Sequence, residues 1–230
     1  MTMGIFSPAR RAWVHLRRLR SDCSGLALVE FAASLPFILL ISLTGAELTN
    51  YASTKMRVSQ VALQLADNVA RIGNGSLLSN KTVKEMNIND ALTGAGLQAG
   101  TLDLYEHGRV IVSSVEGETF PTNPSGEYRI RWQRCRGTKD HDSSYGHAGD
   151  DNLAGVGPSG RQVTAPDNGA VIFVEVAYDY QPLFTNTVIP NPEIVEVAAM
   201  TVRDTRDLEG PTGSTTGIYN DEGVTVSSCT

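Results

Sequence analysis

The sequence predicts an α+β fold: a long N-terminal helix, membrane-spanning in its first half and amphipathic in its second, packed on a four- to five-stranded antiparallel sheet. Three observations carry this. Residues 26–46 form an apolar run in which Glu30 is the sole ionisable side chain. Residues 47–72 keep a helical period without proline. Beyond residue 100 several stretches alternate apolar and polar residues, as half-buried strands do. A chain of 230 residues suits one globular domain with an appendage, and a mean hydropathy of −0.14 excludes a polytopic membrane protein.

Charge is distributed unevenly. Residues 1–25 hold Arg10, Arg11, Arg17, Arg18 and Arg20 against Asp22, whereas the whole chain carries −6. The body is therefore strongly acidic and offers no basic face to phosphates, which argues against a nucleic-acid partner. A basic leader, an apolar run and an acidic body obey the positive-inside rule, with residues 1–25 in the cytoplasm and the body on the far side of the membrane. As a helix, residues 26–46 measure about 31 Å, enough to cross a hydrocarbon core. The rival reading is a secretory signal peptide cut near Ala46, after Thr44-Gly45-Ala46, which releases a periplasmic or secreted binding or adhesion domain. A carboxylate five residues into the apolar run weighs against it, since mid-membrane charge costs up to ~3 kcal/mol.

The helix is predicted to continue past the membrane. Leu48, Tyr51, Val58, Val61, Leu65, Val69 and Ile72 recur mostly at spacings of three, four or seven, and Gly73-Asn74-Gly75 supplies a stop. The spanning part covers residues 26–47 and the amphipathic part 48–72, together about 70 Å. Pro36 lies inside the spanning half, where it is either a functional kink or a neutral bend.

The junction SDCSG–LALVEFAASLPFILL resembles the class III prepilin motif of the tight-adherence (Flp, type IVb) pilus system, and residues 20–72 resemble the TadE family of minor pseudopilins. The resemblance implies cleavage by a prepilin peptidase after Gly25, leaving Leu26 as the first mature residue, Glu30 at mature position five and Phe31 beside it. It implies a pilin-like fold and a single-pass inner-membrane subunit that supports pilus assembly. Its partners would be the peptidase, other pilins or pseudopilins, the Tad assembly machinery and membrane lipid. Glu-Phe replaces the Glu-Tyr usual in the major pilin, and the chain is much longer than that short protein; both favour a minor subunit of TadE or TadF type. Cleavage would create an amine at Leu26, four residues from Glu30, where a carboxylate complements the helix dipole.

Residues 73–100, rich in Asn, Ser, Gly and Thr, are expected to be a connector with a short helix near residues 82–92. A hairpin is expected from Leu102, Leu104 and Glu106 through His107-Gly108 into 110–115. Strands are predicted at 128–134, 170–180 and 194–203, the first with Tyr128, Ile130 and Trp132 on one face and Arg129, Arg131 and Arg134 largely on the other. Residues 137–169 read as a long solvated loop within the sheet domain, 101–230. Its Asp140, His141, Asp142, His147, Asp150 and Asp151 match no metal-ligand spacing, and Gly157-Pro158-Ser159-Gly160 lacks the pattern of a nucleophile elbow. Neither a catalytic site nor a cofactor is expected. Cys23 lies in the leader. Cys135 and Cys229 fall in the body, where an oxidising periplasm would join them.

Overall fold

In a computed structural model, residues 25–75, 79–184 and 193–229 are described. The leader, with Cys23 and its arginines, lies outside them. Helix α1 spans Leu26–Arg71, 46 residues, and runs through Pro36. Two compact units share it: Met1–Leu48 and Thr49–Thr230.

Within the first unit the described residues are the apolar half of α1. This helix is long and apolar enough to cross a membrane, and the apolar window is wholly unburied. The physical reason for a continuous helix is local: Leu, Ala, Ile and Phe dominate, and beyond the first turn the helix satisfies its own backbone groups apart from the carbonyl opposite Pro36.

The second unit is built on a sheet of four antiparallel strands, β1 (Gly108–Gly117), β2 (Tyr128–Arg136), β3 (Ala170–Asp179) and β4 (Glu193–Thr201), in the order β2-β1-β3-β4. Nine of the ten β3 residues are buried, as its central position and apolar sequence require. One face carries Val110, Val112, Ile172 and Val174 against Val58, Leu65 and Val69 of α1. Helix α2 (Glu85–Ala99) adds Ile88, Leu92, Ala95 and Ala99, spaced four, three and four apart on its buried stripe.

Four sequence expectations are corrected here. Residues 73–100 are more than a connector, because α2 starts three residues later than expected and extends to Ala99; Gly94 and Gly96 lower its intrinsic propensity and hid it. Gly96 is there for packing, since a Cβ at this position would lie 2.5 Å from the Tyr105 ring. The hairpin arm at Leu102, Leu104 and Glu106 is a 3-10 turn (Gly100–Leu102) followed by a one-turn helix, α3 (Leu104–His107), so the described sheet has four strands.

The faces of β2 also differ from simple alternation. Ser114 pairs with Trp132 but Val115 with Ile130, so a bulge at Arg131 reverses the side-chain phase. Trp132 consequently joins the α1/α2 side and Ile130 the opposite side. Arg134 shares the face of Trp132, with its guanidinium 5.9 Å from the ring centroid. Finally, residues 137–169 are not simply solvated. Val156 and Ala165 are buried in a second cluster with Val115, Ile130, Val171 and Phe173, and Tyr145 packs edge-on to Phe173 at 5.3 Å.

Candidate functional site

Gly25 ends the described N-terminal segment as a turn residue, and its carbonyl accepts from Val29 N at 3.2 Å, opening α1. A Cβ at Gly25 would meet nothing within 4 Å. Neither sterics nor a left-handed backbone therefore requires glycine for folding at this position. Leu26 is 58% exposed, Phe31 61% and Phe37 68%. Such side chains along a solvent-facing helix lose on the order of 25 cal/mol for every Å² left in water, a cost that lipid or neighbouring helices remove.

Glu30 lies one turn beyond Leu26, exposed, with no ion pair among the described residues. Its carboxylate is thus available to a partner outside the chain. Pro36 cannot donate to the carbonyl of Ala32, yet the helix continues on both sides. Just before it, Ser34 Oγ donates to the Phe31 carbonyl at 3.0 Å. The motif residues Gly25, Leu26, Glu30, Phe31 and Pro36 thus share one uncovered helical segment.

In the second unit, Cys135 and Cys229 form a disulfide across 94 positions, with Cα atoms 4.8 Å apart. It fastens a tail that contributes little to the core besides Leu208 and Ile218. Backbone bonds guide the tail along the α2–β2 seam: Glu85 N donates to Tyr219 O at 2.8 Å and Cys135 N to Ser227 O at 2.8 Å. Asn89 Nδ2 adds a bond to Thr225 O at 2.8 Å. Under this strap, Arg134 Nε and Nη2 donate to Glu85 Oε1 and Oε2 at 2.6 and 2.7 Å, a bidentate pair with both side chains buried.

Beside the disulfide lies a cleft of about 330 Å³ lined by Arg109, Gln133, His141, Asp142 and His147. His141 Nε2 lies 3.0 Å from Glu175 Oε1, while Ser143 Oγ donates to Glu175 Oε2 at 2.8 Å. Serine and histidine both converge on the carboxylate instead of bonding each other, so no nucleophile–base pair is formed. Burial, then the Glu175 charge, pushes the Tyr145 phenol up. Asp150 is likewise engaged locally, accepting from His147 N at 2.7 Å. Among the described residues no group of three or more His, Cys, Asp or Glu is placed to hold a metal ion.

Besides Glu85, sequence reasoning missed the buried charges Glu175, Glu116 and Arg206. Glu175 interrupts the run AVIFVEVAYD, and a lone carboxylate on an otherwise apolar strand was the available signal. Glu116, on the α1/α2 side, is buried, which pushes its carboxyl up, with the Arg131 guanidinium at 3.1 Å opposing that shift. Arg206 closes α1: its Nη2 donates to the carbonyls of Val69, Ala70 and Ile72 at 3.1, 3.3 and 2.7 Å. The helix ends at Arg71, just before the expected stop at Gly73-Asn74-Gly75, and a guanidinium caps its terminal carbonyls at the negative end of the helix dipole. No signal near residue 72 announces a partner 134 positions away.

No protein-family model matches this chain, and neither a curated protein nor a solved structure matches it.

Proposed function

We propose that this protein is a TadE-like minor pseudopilin that supports assembly of a tight-adherence (Flp, type IVb) pilus. The observation that carries the reading is the coincidence at one junction of helix start and sequence motif: α1 begins at Leu26, directly after Gly25, and its apolar half is unburied. No steric contact among the described residues requires glycine at position 25, which leaves it free to serve recognition by a peptidase. Glu30 then becomes the one carboxylate within the apolar segment, suited to the amine of a mature Leu26 on its own or a neighbouring subunit.

On this reading the leader stays in the cytoplasm, residues 26–47 cross the inner membrane, and the body lies in the periplasm. A disulfide between Cys135 and Cys229 accords with an oxidising compartment. The pilin-like feature of the body is the amphipathic half of α1 buried against an antiparallel sheet. The partners are the prepilin peptidase, other pilins and pseudopilins, and the Tad machinery.

A second reading, a periplasmic domain released near Ala46, is favoured by the compact unit that begins at Thr49. N-terminal sequencing of protein recovered from membranes separates the two. A mature start at Leu26 supports the pseudopilin; a start at Glu47 replaces it with the released domain.

A further inference from the structure

We propose that Leu183 and Phe184, just past the end of β3, insert into the headgroup–acyl boundary of the bilayer that α1 enters, giving the body a second contact with lipid. This inference rests on the reading of residues 26–47 as the membrane-spanning part of α1, and not on the prepilin motif.

Strand β3 runs toward the membrane end of α1. Its first residue, Ala170, accepts from Val202 N at 2.9 Å, and Arg206, four residues past Val202, caps the carbonyls of Val69, Ala70 and Ile72 at the distal end of the helix. At the other end of β3, Asn50 Nδ2 donates to Tyr180 Oη at 2.7 Å. The Tyr51 and Tyr180 rings meet edge to face there, 5.2 Å apart. The chain leaving β3 is thus held against residues 50 and 51. Tyr51 follows residue 47 by one helical turn, about 6 Å along α1. Headgroups add about 5–8 Å on each side of a hydrocarbon core, so on the spanning reading Tyr180 stands at headgroup level. Leu183 and Phe184, three and four residues further along, lie within about 14 Å of it even for a fully extended chain.

What these residues present suits lipid. Leu183 is 57% exposed and Phe184 54%. Apolar surface left in water costs on the order of 25 cal/mol per Å², which burial in the boundary region recovers. The sequence has no charged residue between Asp179 and Glu193. Those two flanking carboxylates do not confront lipid phosphates bare, because Lys139 Nζ pairs with Asp179 Oδ1 at 2.7 Å and Glu193 Oε1 at 3.2 Å. Lipid is the occupant because the short connection to the span keeps it within reach of every copy, whereas a protein neighbour has to be recruited.

The test uses the full chain, oxidised and with Cys23→Ser, in lipid nanodiscs with a nitroxide on one introduced cysteine. Labels go at Phe184→Cys, at Phe37→Cys within the span, and at Ser125→Cys, exposed between β1 and β2 at the other end of the sheet. Collisions with oxygen report lipid, and collisions with a water-soluble nickel chelate report water. The oxygen-to-nickel ratio at 184 should exceed that at 125 several-fold and lie below that at 37. Adding Leu183→Asp should return the label at 184 to water with an unchanged circular dichroism spectrum, since a charge resists entry. A water-like 184 beside a lipid-like 37 would overturn the proposal and leave the spanning reading standing; a water-like 37 would overturn both. Low collision rates with both reagents at 184 would assign these residues to a protein neighbour, and a ratio unmoved by Leu183→Asp would assign the contact to the label. Either result overturns the proposal.

Discussion

Replacing Glu85 by Ala strands the Arg134 guanidinium beneath the C-terminal strap. In the intact protein that guanidinium donates twice to the carboxylate, at 2.6 and 2.7 Å, and the Glu85 side chain is 1% exposed. Removing one member of a buried pair leaves an uncompensated charge and costs about 3–5 kcal/mol, a third or more of a typical domain's stability. With a urea slope of about 2–3 kcal/mol per molar, the unfolding midpoint should fall by about 1–2.5 M. Trp132, within 5.9 Å of the same guanidinium, is the natural fluorescence reporter for the full chain in detergent. Arg134→Met should cost a similar amount. The double replacement Glu85→Leu with Arg134→Met should return to within about 1 kcal/mol of the parent, because neither charge is then desolvated. A single-substitution cost below about 1 kcal/mol, or a double variant no better than the worse single, would refute the view of this pair as a mutually dependent buried ion pair.

Reducing the disulfide should destabilise the body by about 4–5 kcal/mol on the chain-entropy model, read as a lowered urea midpoint in dithiothreitol. Hydrogen bonding from Lys84 holds the Glu222 carboxyl below its usual range, and Lys81 does the same for Asp204. Groups whose folded pKa is depressed stabilise above the ordinary carboxylate pKa and lose that contribution as pH falls through the lowered value. Protection factors of the amides in residues 219–225, referred to the intrinsic rate at each pH, should therefore fall below about pH 4. Glu30→Gln should leave insertion and processing largely intact but abolish pilus assembly, scored by immunoblot and surface pili; normal piliation would remove the proposed role of this charge. A bulky residue at Gly25 should block processing while the fold and its melting temperature persist, since nothing lies within 4 Å of the added Cβ.

The elements legible in the sequence are those governed by local periodicity. Helix α1 follows from an apolar run joined to a three-and-four repeat. The four strands follow from alternation or apolar runs at 110–115, 128–134, 170–180 and 194–203, each within a few residues of its observed bounds. The cysteine pair was legible too, because only two cysteines fall in the body. Helix α2 was only half legible, since Gly94 and Gly96 weaken its local propensity and Gly96 serves the Tyr105 ring and not the helix.

What the tertiary structure alone decided are relations between distant residues. A one-residue bulge at Arg131 determines that Trp132 and Ile130 face opposite sides, and a period-two reading cannot locate such an insertion. Glu85 with Arg134, and Arg206 with the end of α1, are pairings across 49 and more than 130 positions. Local pattern contains no term for them, because charge burial depends on which surfaces meet. The same holds for the loop 137–169, whose polar composition reads as solvated until Val156, Ala165 and Tyr145 are brought onto an apolar sheet face. Sequence periodicity specifies which side of an element is apolar; only packing decides what that side meets.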